Sequence, residues 1–403
     1  MRRRPGWDLG AASPDAMRGP RRGCVARHGA GATRDKNPLR AATRGSGCMG
    51  MQAVQDARQR GVRLRGRTQG AFTGGGAASP RAAVRDGVQG ARRSRFSAYG
   101  LVYDSDLPAP WADPAPRAAP ADVQVRLGPV RGPAVPGHAD SAWIVESPTE
   151  AFVEWEGLRL RVSDGARIGI EIGPGATRET ASVHVGYAAS TVLLHQRAAM
   201  PLHAAGAAGP AGGALLLGAS GAGKSTFATM MSRDGWALAG DDTIALDLAP
   251  GRPVALHRAM RTARLFADSA AAVGAAAPHD PVLAQGQGMG KAVRALADPE
   301  SRLAWPAPLR AVFKLEWLHP ADAPPELERL PTLAAVAALR AAIGRPEIAG
   351  RMGLDGAYFR LLARIAAETP VFVLRRPRDF AAAEAAVALA RRTVERLAAA
   401  RAP

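Results

Sequence analysis

The apolar positions of this chain fall into two regimes. From Phe96 to Ile172 they come in short runs that alternate with polar residues, as in Val123-Gln124-Val125-Arg126-Leu127, Leu158-Arg159-Leu160-Arg161-Val162 and Ile168-Gly169-Ile170-Glu171-Ile172. A period of two, bounded by Gly, Pro and Asp, predicts strands with one buried face. This stretch therefore reads as a small, mostly antiparallel β region. Phe96–Tyr103 reads as one strand and Phe152–Trp155 as another, with a proline-rich connection over 105–120. The region offers no His/Asp/Glu cluster and no evident nucleophile, so packing, dimerisation or substrate docking are its candidate roles.

Further on the runs lengthen. Residues 181–200 read as a helix leading into Leu202-His203-Ala204-Ala205. Ala214-Leu215-Leu216-Leu217 is continuously apolar, as expected of a strand covered on both faces. Later strands are predicted at 309–318 and 371–375, and helices at 224–233, 332–343, 355–368 and 379–399. In the third of these helices Phe359, Leu362 and Ile365 are placed on the buried face, with Asp355 as N-cap. Phe380, Val387, Val394 and Leu397 fit a face of the last. Strands interleaved with helices define an α/β domain over 196–400.

Composition changes the picture at the N-terminal end. The 403 residues carry a formal net charge of +18, which by itself suggests a nucleic-acid binder. The first 100 residues hold 21 Lys and Arg against five acids, while the remainder is nearly balanced at 32 against 30. Residues 1–95 are rich in Arg, Gly, Ala and Pro and cannot bury enough apolar surface to offset chain entropy, so they read as a disordered basic tail. The readings for the tail are a solvated segment, translated upstream sequence being one origin for it, a basic arm for nucleic acid or acidic membranes, and a transit peptide. Nucleic acid is not expected as a partner of the body. Cys24 and Cys48 both lie in the tail, and neither a CxxC nor a zinc cluster exists, so a cytoplasmic location is expected. No apolar run reaches the roughly 18 residues of a membrane span, so no membrane partner is expected. The organisation is thus a tail (1–95), a β-rich N-terminal region (96–195) and an α/β domain (196–400).

The chemistry concentrates after the continuous apolar run. Gly218-Ala219-Ser220-Gly221-Ala222-Gly223-Lys224-Ser225-Thr226 is a complete Walker A pattern. The glycines let backbone N–H groups turn inward, and with the N-terminus of the following helix they form an anion cradle. Lys224 is placed to bridge β- and γ-phosphate oxygens and Ser225 to ligate Mg2+, so ATP and magnesium are the expected cofactors. Asp241 and Asp242 end the next apolar run. Alternation along a strand would point them in opposite directions, one to magnesium and the other to the proton of an attacking hydroxyl.

The glycine loop, its spacing to Gly240-Asp241-Asp242 and a histidine, His203, 15 residues before Gly218 resemble the catalytic domain of HPr kinase/phosphorylase, and more closely the HPr-kinase-like serine kinases of bacteria. The resemblance covers roughly residues 196–400 and, more loosely, the β region. It implies a P-loop nucleotide-binding catalytic domain of the HPr kinase type, with a protein or peptide as phospho-acceptor. It puts Lys224 and Ser225 on Mg-ATP, Asp241 as general base, Asp242 as metal or orienting partner, and His203 beside the phosphates. The chain departs from the bifunctional family in one respect: no glutamate occurs between Asp247 and Glu300, where that family carries its Glu-Ile-Arg-Gly signature. Arg258, Arg261 and Arg264 stand there instead, as a clamp for phosphate or an acidic substrate or as a solvated basic face. They are followed by the glycine-rich 286–290 and Lys291, read as a loop over the site. The expected activity is γ-phosphoryl transfer to a serine or similar hydroxyl. The alternatives are a nucleotide-binding regulatory or scaffold protein without transferase activity and, resting on the tail alone, a nucleic-acid-binding ATPase. Oligomeric state is left open, a homo-oligomer included.

Overall fold

A computed structural model describes residues 93–116, 118–133, 143–155, 157–274, 283–285, 291–296, 303–320 and 323–401. The expectation of a disordered tail falls on residues 1–92 and so lies outside the described residues. The chain is mixed α/β, and residues 84–403 cluster as one unit.

The strands β1 (Ser94–Ala98), β2 (Leu101–Ser105), β3 (Asp113–Pro114), β4 (Val123–Leu127), β5 (Ile144–Ser147), β6 (Glu150–Trp155), β7 (Leu158–Ser163) and β8 (Arg167–Ile172) form one eight-stranded sheet in the order β3-β1-β2-β4-β8-β7-β6-β5. Its pairs are antiparallel except β2–β4 and β4–β8, which run parallel. The single strand expected over Phe96–Tyr103 is a hairpin. Tyr99 and Gly100 take φ of 58° and 77°, the pair of left-handed residues that a tight two-residue turn requires. Tyr99 tolerates this because it is tied down: its amide donates to the Arg258 carbonyl at 2.7 Å and its hydroxyl to the Gly186 carbonyl at 2.5 Å.

One continuous helical run, made of α1 (Arg178–His184), a π-helical turn over Val185–Ala189 and α2 (Ser190–Gln196), leads from this sheet into the second half of the chain. There follow β9 (Ala205–Gly209), β10 (Gly212–Leu217), α3 (Lys224–Met231), β11 (Ala237–Gly240), β12 (Leu246–Asp247), β13 (Ala255–Leu256), β14 (Thr262–Leu265), α4 (Ala267–Ala272), β15 (Leu283–Gln285), β16 (Ala292–Ala295), β17 (Ala307–Leu318), β18 (Glu326–Arg329), α5 (Thr332–Arg340), α6 (Pro346–Arg351), α7 (Asp355–Glu368), β19 (Val371–Pro377) and α8 (Phe380–Ala399). The second sheet runs β11-β9-β10-β17-β13-β12, with β19 pairing β17 and β18. Its β10–β17 and β17–β19 pairs are parallel. A small sheet, β14-β16-β15, stands apart.

Alternation explains how β10 is buried throughout. Ala214 and Leu216 join Phe227, Phe313 and Val387 under α3 and α8, whereas Leu215 and Leu217 join Val312, Leu339 and Leu362 under α5 and α7. A strand between two helical layers must be apolar on both faces, which is the pattern its sequence shows. No helix among the described residues is long and apolar enough to cross a membrane.

Three sequence expectations about helices change. Phe359 is 61% exposed; its neighbour Tyr358 takes the buried position with Leu362 and Ile365. Asp355 is the first residue of α7, without a capping hydrogen bond, and Leu354 precedes it. Phe380 is 42% exposed, while Val387 and Val394 are buried.

Tyr358 is selected by a buried polar contact. Its hydroxyl lies 2.9 Å from His195 Nδ1, and His195 Nε2 lies 2.8 Å from the Gly344 carbonyl. A carbonyl only accepts, so Nε2 carries the proton and Nδ1 accepts from Tyr358. Burial pushes His195 down to about 4, against the smaller opposing effects of the Gly344 carbonyl and Glu347. His184, buried edge-on against the Trp155 ring, is pushed to about 4 as well, by burial and then by the Arg264 charge. Both folded values lie below the ordinary 6.5, so between the two values the unfolded chain binds more protons. Stability is therefore lost as pH falls from about 6.5 to about 4, by about 2 kcal/mol per histidine between pH 7 and pH 5. Denaturant midpoints at the two pH values should show this fall, and the double variant His184→Gln/His195→Gln should flatten it. An unchanged slope in that variant would assign the fall to other groups.

Candidate functional site

The glycine loop leaves β10 at its C-terminal end, beside the ends of the parallel strands β17 and β19. Parallel sheets place ligands at this edge because the connecting loops and helix N-termini gather there. Gly218, Gly221 and Gly223 have φ of 148°, 82° and 81°. Gly223 sits just before α3, which has no side-chain cap at its N-terminus, so its first N–H groups are left for another acceptor.

Ala219, Ser220, Gly221, Gly223, Lys224, Ser225 and Thr226 line a cavity of about 440 Å³. Gly218 and Ala222, also expected at the nucleotide, are not among the residues that line it. A Cβ on Gly218 would stand 3.0 Å from that of Ala222, and the Ala222 carbonyl accepts from Arg376 Nη2 at 3.0 Å. Lys224 Nζ folds onto its own loop, donating to the carbonyls of Gly218 at 2.9 Å and Ala219 at 3.3 Å. Burial lowers its pKa, and Asp241 and Asp242 act against that shift.

The two carboxylates and His203 also face the cavity. Asp241 is 3% exposed and held from two sides. Ser225 Oγ donates to its Oδ1 at 2.9 Å, and the Arg264 amide donates to its Oδ2 at 2.8 Å. Burial raises its pKa, the Asp242 charge adds to that, and the hydrogen bonds oppose it. Asp242 is more open. Its Oδ1 is 3.3 Å from His203 Nδ1 and its Oδ2 is 3.6 Å from Arg264 Nη1. His203 Nδ1 also lies 3.2 Å from the Asp242 carbonyl, so both its neighbours are acceptors and Nδ1 carries the proton. Burial pushes Asp242 up, but His203, Arg264 and Lys224 together hold it below the usual carboxylate range.

The divergence of the two carboxylates does not come from strand alternation. β11 ends at Gly240, and Asp242 turns off with a φ of 69°. A left-handed non-glycine residue costs on the order of 1 kcal/mol, and such positions gather at functional sites.

Of the arginine series only Arg264 lines the cavity. Arg258 is buried, 3.2 Å from Asp113 and 5.4 Å from the Trp305 ring, and Arg261 donates to the carbonyls of Pro110, Trp111 and Ala112. These two fasten the first sheet's connection onto the second half of the chain, so neither a clamp nor a solvated face describes them. Lys291 does line the cavity, with its ammonium 4.9 Å from the Phe266 ring centre. The glycine-rich 286–290 before it lies outside the described residues.

The sequence reading missed Trp317, Arg376, Arg378 and Phe380, which form the opposite wall. The signal was available: charges that directly follow the apolar Val371–Leu374 fall at the same sheet edge as the glycine loop.

Among the described residues no group of three or more His, Cys, Asp or Glu could hold a metal ion. The protein donors available for magnesium are therefore the Ser225 hydroxyl and a neighbouring carboxylate. That set fits Mg2+, which keeps several waters and takes phosphate oxygens as ligands. No family model and no curated protein matches the chain.

Proposed function

We propose that the chain is a Mg-ATP-dependent kinase of the HPr-kinase-like type that phosphorylates a serine or similar hydroxyl on a protein or peptide. The observation that carries this reading is the Ser225 hydroxyl bonded to Asp241 at 2.9 Å, with Asp242 and His203 beside it on the same cavity wall. A site that only binds Mg-ATP needs one carboxylate on the metal side; a second, ionised and oriented by a histidine, suits the proton of an attacking hydroxyl. The geometry favours an exchange of the roles that the resemblance suggests. Asp241 orients Ser225 on the metal side, and Asp242 is the base.

In this reading the backbone N–H groups of 219–226 and Lys224 hold the phosphates, with Lys224 leaving its loop carbonyls for phosphate oxygen. Mg2+, when bound, would be held on the protein side by Ser225 with Asp241 behind it, and would supply neutralisation of phosphate charge. The acceptor oxygen bonds to the γ-phosphorus as the bond from that phosphorus to the β,γ-bridging oxygen breaks. The hydroxyl proton passes to Asp242, and ADP leaves. His203 Nδ1–H holds the Asp242 carboxylate in place.

The test is label transfer. Purified chain with γ-labelled Mg-ATP and extract of its own host should label an acceptor, and Lys224→Ala should reduce the label to background. Tight ATP binding with no labelled product would support the regulatory binder instead.

A further inference from the structure

The sheet order makes the cavity two-sided. β11, which leads into Asp241-Asp242, lies beyond β9 on one side of the glycine-loop strand β10. β17 and β19, which bring Trp317 and Arg376, lie on the other. α8 then starts with Phe380 on that same side.

Arg376 is an unusual residue to find there. It is 5% exposed, yet among the described residues no carboxylate pairs with it and its Nε has no hydrogen-bond partner. Its guanidinium is held between two rings, with centres 4.3 Å away in Trp317 and 5.3 Å away in Phe227. Among the described residues its guanidinium makes one hydrogen bond, to the Ala222 carbonyl of the glycine loop. Adjacent Arg375 shows the contrast: it points the other way and pairs with Glu316 and Glu328. Burial without an anion pulls Arg376 down to about 10. A buried cation that faces rings and one carbonyl is under-compensated, and it lines a cavity whose other wall is an anion cradle.

The apolar surroundings point the same way. Phe380 is 42% exposed and Trp317 half-buried, and both line the cavity, with the Arg378 guanidinium 5.8 Å from the Trp317 ring. Rings left open inside a cleft beside cations are a surface for a flat, aromatic, anionic ligand.

We propose that the β17–β19 wall is a nucleoside monophosphate subsite: Arg376 takes the α-phosphate of a nucleotide, and its base packs against Phe380 and the open part of Trp317. This rests on the kinase reading, because it requires the remaining phosphates to run along the glycine loop. It fixes the direction of the bound nucleotide, base towards α8 and terminal phosphate towards Asp242 and His203.

Calorimetric titration of the full chain with Mg-ATP and with magnesium tripolyphosphate tests it. The wild type should bind Mg-ATP at least about tenfold more tightly, since one stacked base contributes about that factor. Phe380→Ala should lose about tenfold for Mg-ATP and nothing for tripolyphosphate. Arg376→Met should weaken both ligands, while its ligand-free melting temperature stays at or above that of the wild type, because an uncompensated buried charge has been removed. A merely structural Arg376 would instead lower the melting temperature and spare affinity, which would overturn the proposal. Equal affinity for the two ligands in the wild type would overturn it while leaving phosphate binding intact. Binding of neither ligand would remove the subsite together with the kinase reading.

Discussion

Asp242→Asn is expected to leave Mg-ATP affinity within a few-fold of wild type and to cut phosphoryl transfer by roughly 10²–10⁴-fold, the usual contribution of a general base. Asp241→Asn is expected to fail earlier, at nucleotide binding. The asymmetry follows from what each carboxylate touches. Asp241 accepts from two donors, Ser225 Oγ and the Arg264 amide, and is sealed from solvent. An asparagine has one acceptor oxygen and would turn its amide donors towards one of those groups. Leaving a buried donor unpaired costs about 1–3 kcal/mol, and Ser225 would lose the partner that aims it. Asp242 pairs with His203 and Arg264 and is partly exposed, so an asparagine there keeps the shape while it loses the basicity and the charge. Equilibrium titration with Mg-ATP and single-turnover transfer, measured separately on each variant, decide the matter. If Asp241→Asn binds normally and cannot transfer while Asp242→Asn remains active, Asp241 is the base, as the family resemblance implies.

The surroundings of the two carboxylates show where sequence and structure part. That a glycine loop closes on Lys224-Ser225 after a doubly buried strand, and that carboxylates follow, is written in local spacing. The expected helices at 332–343, 355–368 and 379–399 appear within a few residues as Thr332–Arg340, Asp355–Glu368 and Phe380–Ala399, because apolar periodicity is a local property too. Which oxygen meets which donor is not local. Asp241 is defined by the Arg264 amide, which comes from another sheet. Tyr358 and Phe359 both satisfy a helical apolar period with Leu362 and Ile365. A hydrogen bond to His195, far away in sequence, decides between them. β9, Ala-Gly-Ala-Ala-Gly, carries almost no strand signal of its own and exists as a strand because β10 and β11 pair with it on both sides. The Arg376 wall left only a local trace, the charges that follow Val371–Leu374. Its meaning lies in having no carboxylate partner among the described residues and in two rings brought from α3 and β17.

Gly223→Ala is expected to abolish nucleotide binding, and Gly221→Ala to weaken it only modestly, although the two glycines have nearly the same backbone angle. Their φ values are 81° and 82°, so the conformational cost of a Cβ in the left-handed region, on the order of 1–2 kcal/mol, is common to both. What differs is the space. A Cβ on Gly221 meets nothing within 4 Å. One on Gly223 would fall on Arg376 Nη2, closer than real side chains come, with Trp317 Cη2 at 3.5 Å behind it. Arg376 has nowhere to retreat, since the Phe227 and Trp317 rings hold its guanidinium and the Ala222 carbonyl binds it. Relief must therefore come from the loop, and shifting the loop moves the N–H groups that open α3. Each N–H taken out of reach of the phosphate loses a hydrogen bond to a charged group, about 1.5–3 kcal/mol. Titration of both variants with Mg-ATP, alongside their melting temperatures, separates the two effects. Similar losses in the two variants would mean that backbone strain alone governs the loop and that its contact with Arg376 gives way.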